Sequence, residues 1–240
     1  MAASAPAQAP AGAQATFKVR NNPAVQQGVV LGAGPTGVKI AIGAQSITLQ
    51  PAMFEQFQMA PPPEYAAGYK AYTAHDYKTA LAQIKSVTDK YKGLPTDWAQ
   101  YATSLLGDIY VAMEDLPKAE AAYNDYKRVY PGAGSLQSEV GLARIAMAKK
   151  DYPTAKQKLE PITAAALKEK NITNANGPAY GHAFLASGEL KEQDGNLPGA
   201  LEDYLRTVTL FYHDRAAVLS AHERADALRA KSKGEPVTVP

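Results

Sequence analysis

Two hydrophobic periodicities divide the chain into a short first part and a long second part. In residues 16–50 apolar and polar positions alternate, which is typical of strands with one buried face. The alternating apolar positions are Phe17, Val19, Val38, Ile40, Ile42, Ile47 and Leu49. Turn-forming sequences such as Asn21-Asn22-Pro23 and Gly43-Ala44 separate these runs. The pattern predicts a small β module in residues 16–60, a meander of three or four strands. Because so few residues bury little surface alone, we expect it to dock on the first helices or on a partner.

After Pro61-Pro62-Pro63 the pattern becomes helical and continues to residue 231. One motif recurs there four times, at residues 76–80, 115–119, 151–155 and 196–200. Each copy starts with Asp or Asn, which caps free backbone N–H groups of a helix, and each ends with Ala, which permits close helix approach. Another small residue precedes each Ala by twelve positions. These repeat-packing pairs are Gly68 and Ala80, Gly107 and Ala119, Ala143 and Ala155, and Gly188 and Ala200. The spacing predicts four helical hairpins.

The second copy carries a family resemblance. It contains Leu106-Gly107, Tyr110, Ala119, Tyr123, Tyr126 and Pro131. In this order and spacing, these residues resemble the tetratricopeptide repeat (TPR), and the resemblance extends over about residues 63–212. It implies a mainly α fold, in which about four TPR-like antiparallel hairpins form a solenoid over residues 61–231 and an amphipathic helix at residues 214–231 caps it. Residues 122–131 are also similar to repeats of periplasmic proteins in bacterial cell envelopes, such as those of the Tol-Pal and outer-membrane assembly systems.

The resemblance also implies a binding surface, because the first helix of each TPR hairpin lines an inner groove. The groove positions that match in this sequence are Tyr65, Tyr69, Tyr72, Ser104, Asp108, Val111, Arg144, Met147, Leu185 and Glu189. Tyrosine is enriched at binding hot spots, which favours partner contact by Tyr65, Tyr69 and Tyr72. The same tyrosines form a helical stripe that equally fits packing against the β module. Both interpretations remain open at this stage.

Composition and charge narrow the choice of partner. The chain of 240 residues has 25 basic and 23 acidic residues, a formal charge of +2, and no cysteine. This balance of charges does not favour binding to nucleic acid, and no apolar stretch is long enough for membrane insertion. Residues 1–15 are rich in Ala, Pro and Gln and predict a disordered lead-in, and residues 232–240 predict a flexible tail. Such a lead-in often remains after a secretory signal peptide has been removed, so we expect a periplasmic or cell-envelope location, with a cytoplasmic one as the alternative.

No motif for chemistry stands out. The four histidines are scattered without metal-ligand spacing, and neither a P-loop nor a nucleophile elbow is present. We therefore expect no catalytic residues, no metal and no cofactor. The sequence predicts a non-enzymatic adaptor that binds another protein or a peptide segment through the inner groove or a sheet edge. The alternative is a self-assembling structural subunit, a homo-oligomer that pairs through an exposed strand edge at residues 16–20.

Overall fold

A computed structural model of the chain describes residues 12–173 and 176–231. Within these residues, five strands precede nine α-helices. The strands are β1 (Ala13–Val19), β2 (Gln26–Gly34), β3 (Gly37–Ile42), β4 (Gln45–Leu49) and β5 (Phe54–Met59). The helices are α1 (Pro63–Thr73), α2 (Tyr77–Tyr91), α3 (Asp97–Ala112), α4 (Leu116–Val129), α5 (Ala133–Ala148), α6 (Tyr152–Ala166), α7 (Gly177–Gln193), α8 (Leu197–Thr209) and α9 (Arg215–Lys231). The protein is thus mainly helical with a small antiparallel sheet near its N-terminus, as the periodicities predict.

The predicted lead-in and tail fall largely outside this description, which leaves out residues 1–11 and 232–240. Strand β1 nevertheless begins at Ala13, inside the segment that the sequence assigns to the lead-in. Ala13, Gln14 and Ala15 pair with β2, and Ala15 is buried. The sequence pattern misses this start because alanine gives a weak periodic signal, although its small side chain fits a buried strand face.

The chain forms two compact units that divide after Thr103. The first contains the sheet, α1, α2 and the start of α3, and the second contains the rest of α3 and helices α4 to α9. The change from strand to helix lies earlier, between Met59 and Pro63. The first two helices therefore belong to the same compact unit as the sheet.

The sheet has the strand order β4-β3-β2-β1-β5, and all neighbours are antiparallel. Strand β1 is internal, because Thr16 lies opposite Gln27 of β2 on one side and opposite Gln58 of β5 on the other. This corrects the expectation of an exposed edge at residues 16–20. Among the described strands, the edges are β4 and β5 instead, because β5 returns to cover β1.

One face of the sheet is apolar and forms the core of the first unit. Its fully buried side chains are Phe17, Val30, Val38 and Ile40. Helix α2 packs against β2, and the Trp98 indole N–H donates a hydrogen bond to the Met59 carbonyl oxygen at 2.8 Å. The sheet therefore docks on the first helices, as its small size predicts.

The four motif copies adopt the same turn. His75, Glu114, Lys150 and Gly195 have φ of 60°, 61°, 61° and 76°, the left-handed conformation that ends many helices. The backbone N–H of the following Asp or Asn donates to the carbonyl oxygen five residues before it, at 2.8–2.9 Å. The Asp or Asn side chain then accepts from the backbone N–H three residues later, at 3.1–3.3 Å. These side chains belong to Asp76, Asp115, Asp151 and Asn196, and the predicted caps are confirmed.

The predicted small residues lie where helices come close together. The alanines Ala80, Ala119, Ala143, Ala155 and Ala200 are all fully buried. A Cβ atom added to Gly68 would lie 2.8 Å from Ile84, and one added to Gly188 would lie 2.5 Å from the Tyr204 ring. The Tyr123 ring occupies the space beside two glycines, because a Cβ at Gly107 or Gly141 would lie 2.5 or 2.4 Å from it. The glycines thus make room for a large side chain of the partner helix.

The second unit is built of successive packed helices. Each helix from α4 to α8 packs against the next, and α5 also packs against α7, and α7 against α9. Helix α7 lies in the middle of this arrangement, since eleven of its residues are buried, among them Phe184 and Leu185. The core around α7 includes the stacked rings of Phe184 and Phe211, with centroids 5.0 Å apart.

Candidate functional site

Several predicted groove residues of the second unit are buried rather than exposed. Ser104 and Asp108 are each 2% exposed, and Leu185 is 8% exposed. Val111 and Met147 are half-buried and pack against core clusters. These positions contribute mainly to the interior, so they offer little surface to a partner.

The charged groove residues pair with charges of the same unit. The Arg144 guanidinium forms an ion pair with Asp108, and the Tyr123 hydroxyl donates to Asp108 Oδ1 at 2.7 Å. Glu189 forms an ion pair with Arg224 of α9 at 2.8 Å. Breaking such partly buried pairs to bind a ligand is costly, because a carboxylate would be left buried without its cation. These side chains thus link neighbouring helices.

The tyrosine stripe belongs to the first unit, and each of its members contacts another aromatic ring. Ring centroids are separated by 6.1 Å between Tyr65 and Trp98, and by 5.8 Å between Tyr69 and Tyr101. Tyr72 lies 6.1 Å from the Tyr77 ring. All three stripe tyrosines are half-buried. They contact residues of α2 and of the start of α3, an arrangement that neither sequence-based interpretation included.

The first unit also contains an open cleft, which we call the sheet cleft. Its volume is about 870 Å³. It is lined by residues of β1, β2 and β5, by the linker after β5, and by residues 95–98 at the start of α3. Its lining residues include Gln14, Thr16, Gln27, Phe57, Gln58, Asp97 and Trp98. A cleft of this size is within the usual range for ligand sites in proteins.

The floor of the sheet cleft is a row of neutral hydrogen-bonding side chains. Because Gln27, Thr16 and Gln58 lie directly opposite one another on adjacent strands, their side chains share one face of the sheet. Each glutamine amide supplies two donors and an acceptor, and threonine supplies one donor and an acceptor. Asp97 is the sole ionisable residue among the described residues that line the cleft. The cleft therefore suits a neutral or weakly basic ligand with many hydrogen-bonding groups.

The sheet cleft as a whole has no signature in the sequence pattern, because its lining comes from four separate segments. A signal for part of it exists, since Gln14, Thr16 and Lys18 alternate with the apolar residues of β1 and must share the other face. The contribution of Asp97 and Trp98 depends on how α3 meets the sheet, which no local pattern encodes.

A second group of buried polar residues lies in the second unit. His182 of α7 is 3% exposed, and its Nε2 lies 3.7 Å from Asp214 Oδ2. Asp203 is 1% exposed and accepts from the Ser187 hydroxyl at 2.7 Å, with Lys191 Nζ at 2.6 Å and Arg206 at 2.9 Å. In residues 12–173 and 176–231, no group of three or more His, Asp or Glu residues is arranged to hold a metal ion.

Comparison with known proteins adds no family assignment. No protein-family model matches the chain, and no curated protein matches it. In the part of the chain that the structure describes, no helix has both the length and the apolar character needed to span a bilayer.

Proposed function

We propose that this protein is a non-enzymatic adaptor that holds an extended segment of another protein. In this proposal the helices form a TPR-like solenoid of about four hairpins with α9 as its cap, and the sheet cleft receives the partner segment. The protein acts in the bacterial cell envelope, in line with the likeness of residues 122–131 to envelope TPR proteins.

The four equivalent turns support the repeat part of the proposal. Each turn has a residue with positive φ, a capping Asp or Asn, and a hydrogen bond from the backbone N–H of that Asp or Asn to the carbonyl oxygen five residues earlier. The φ values and the hydrogen-bond distances agree closely among the copies. In each copy the residue four positions after the buried Ala is also buried: Ile84, Tyr123, Leu159 and Tyr204. Packing of α5 against α7 and of α7 against α9 is what stacked hairpins produce, because their first helices are neighbours.

The observation that carries the binding part is the sheet cleft beside the edge strand β5. Among the described strands, β5 pairs on one side alone, so its other side can accept the backbone of an added strand. The cleft residues Phe57 and Gln58 belong to this same strand. An extended peptide can thus gain backbone hydrogen bonds from β5 while its side chains contact Gln58 and Trp98 of the cleft.

The inner face of the second unit is less suited to binding. Its Asp108, Arg144 and Glu189 are engaged in ion pairs with residues of the same unit. A ligand there would compete with these pairs, whereas the sheet cleft already has open volume. For this reason we place the partner segment in the cleft.

A peptide-display experiment tests the proposal with the purified full chain. A library of unstructured dodecapeptides is selected for binding, and the selected peptides are measured against Gln58→Lys. The matched control is Gln45→Lys, which makes the same change at an exposed glutamine of the other edge strand. We expect Gln58→Lys to weaken binding at least about tenfold, a loss of about 1.4 kcal/mol, while the control binds like the unaltered protein. Failure to select any peptide, or equal binding by both variants, would refute the cleft as the binding surface.

A further inference from the structure

His182 is a buried histidine without a conventional partner. It lies in α7, and neither ring nitrogen has a hydrogen-bond partner among the described atoms. Buried polar groups normally have such partners, because leaving them without one costs free energy. The neutral imidazole therefore has little that favours its buried position.

Asp214 lies within ion-pair distance of His182 and immediately precedes α9. Its Oδ2 lies 3.7 Å from His182 Nε2, which is the distance of an ion pair rather than of a hydrogen bond. Its Oδ1 accepts a hydrogen bond from the Ala217 backbone N–H at 2.9 Å, in the manner of an N-cap of α9. The Asp214 side chain is 1% exposed, so water screens this pair poorly. His182 and the start of α9 are thereby coupled electrostatically.

Two further charged groups near His182 pair with each other. Asp108 of α3 and Arg144 of α5 both influence His182, and they form an ion pair with each other. Protonation of His182 places a positive charge on the ring whose Nε2 lies 3.7 Å from Asp214 Oδ2, and opposite charges attract more strongly where the local dielectric constant is low.

The remaining helices that pack against α7 supply charges with partners of their own. On α8, Asp203 pairs with Lys191 and Arg206. On α6, Lys158 pairs with Glu139, and Lys156 pairs with Glu160. On α9, Arg224 pairs with Glu189 and Glu192 of α7. One further titratable group needs a separate test, since the ring of His213 lies close to Gly177 at the start of α7.

We propose that His182 is a proton-operated latch: its protonated form holds the beginning of α9 against α7 through Asp214, and loss of the proton loosens α9. The burial of His182 and Asp214, the 3.7 Å between them and the capping position of Asp214 carry this proposal. It is independent of the sheet cleft and of the partner segment proposed above.

The direction of the pH effect follows from the opposing influences on His182. Burial lowers the pKa of His182, but the Asp214 carboxylate and the charge of Asp108 together raise it more, and the net pKa is above the usual value. A group whose pKa is raised on folding stabilises the fold fully below its unfolded pKa, about 6.5 for histidine. That contribution is lost as the pH rises through the folded pKa. The latch therefore closes at low pH and opens at higher pH.

Hydrogen exchange of the α9 amides at several pH values between 6 and 9 tests the latch, after correction for the intrinsic exchange rate. We expect protection of α9 to fall with rising pH, by at most about tenfold per pH unit between the two pKa values of His182. The fall in α9 protection with rising pH should disappear in His182→Gln, which lacks the titrating ring. It should also disappear in Asp214→Asn, because asparagine keeps the cap but removes the charge. The exposed control His222→Gln should show the same fall as the unaltered protein.

Three outcomes would overturn the latch. These are α9 protection that does not vary with pH, a pH effect that persists in His182→Gln, and an effect that disappears in His213→Gln alone. Should His182→Gln fail to fold, NMR titration of the His182 ring in the unaltered protein replaces it. A midpoint at or below that of a free histidine would then contradict the proposal.

Discussion

Replacing Gly188 with alanine tests how closely α7 and α8 pack. The new Cβ atom would lie 2.5 Å from Tyr204 Cε1 and 2.7 Å from Cδ1, closer than non-bonded carbon atoms approach. Tyr204 is fully buried, and its hydroxyl donates to Glu192 Oε2 at 2.9 Å, so the ring has little freedom to move away. We therefore expect strain between the two helices.

The expected magnitude is a difference of two effects. Overpacking a tight core costs about 1–3 kcal/mol. Alanine in place of glycine within a helix gains about 1 kcal/mol. Because the clash at Gly188 is severe, we expect a net loss of about 1–2 kcal/mol in the free energy of unfolding. Urea denaturation followed by far-ultraviolet circular dichroism measures this loss, and hydrogen exchange of α7 and α8 shows whether it is local.

The matched control removes the ring. In a Tyr204→Leu background the space beside Gly188 is less crowded, so Gly188→Ala should there be neutral or stabilising by up to about 1 kcal/mol. The reasoning is refuted if Gly188→Ala does not lower stability in the unaltered protein, or if its effect is the same in both backgrounds.

Two further pairs of substitutions test the turns and the buried charges. Lys150 has φ of 61°, so Lys150→Gly should raise stability by about 1 kcal/mol, whereas Lys149→Gly, at φ of −77°, should lower it by a similar amount. Thermal unfolding of both variants checks this, and a loss of stability in Lys150→Gly would contradict it. Arg144→Ala leaves the Asp108 carboxylate buried without its cation and should cost about 3 kcal/mol, and adding Asp108→Asn should restore part of that loss. In urea titrations, a double variant no more stable than Arg144→Ala would show that the pair is not the cause.

The helix starts and several close helix contacts could be predicted from sequence because their determinants are local. A capping Asp or Asn, the following proline or polar residue, and a small residue at fixed spacing act within one turn or one hairpin. Asp76 and Asn196 could therefore be identified as caps without knowing what surrounds them. The same holds for Gly107, whose neighbour Tyr123 belongs to the next helix along the chain.

Strand β5 was missed because its register is irregular. Phe57 lies opposite Phe17, but a bulge at Lys18 and Val19 brings Phe54 opposite Val19. The two phenylalanines are consequently three residues apart instead of two, which does not fit the alternation expected of a strand. Only the pairing with β1 explains the spacing, and that pairing is a tertiary feature.

The ion pairs of the candidate groove were missed for a related reason. Asp108 and Arg144 each follow the small residue of a repeat-packing pair, Gly107 and Ala143, and the TPR resemblance predicts that both contact a partner. Opposite charges at equivalent repeat positions could have indicated that the two side chains meet. The distance between α3 and α5 decides whether the two side chains meet, and it is not encoded in either helix alone.

The position of Tyr123 limits how this array could be rearranged by evolution or by engineering. Its ring fills the gap left by the missing side chains of Gly107 on α3 and Gly141 on α5, so one residue sets the spacing of three helices. A pair of helices inserted or deleted at this junction would separate the ring from one of its two glycines and leave either a void or a collision. We therefore expect α3, α4 and α5 to tolerate duplication or exchange only when all three move together.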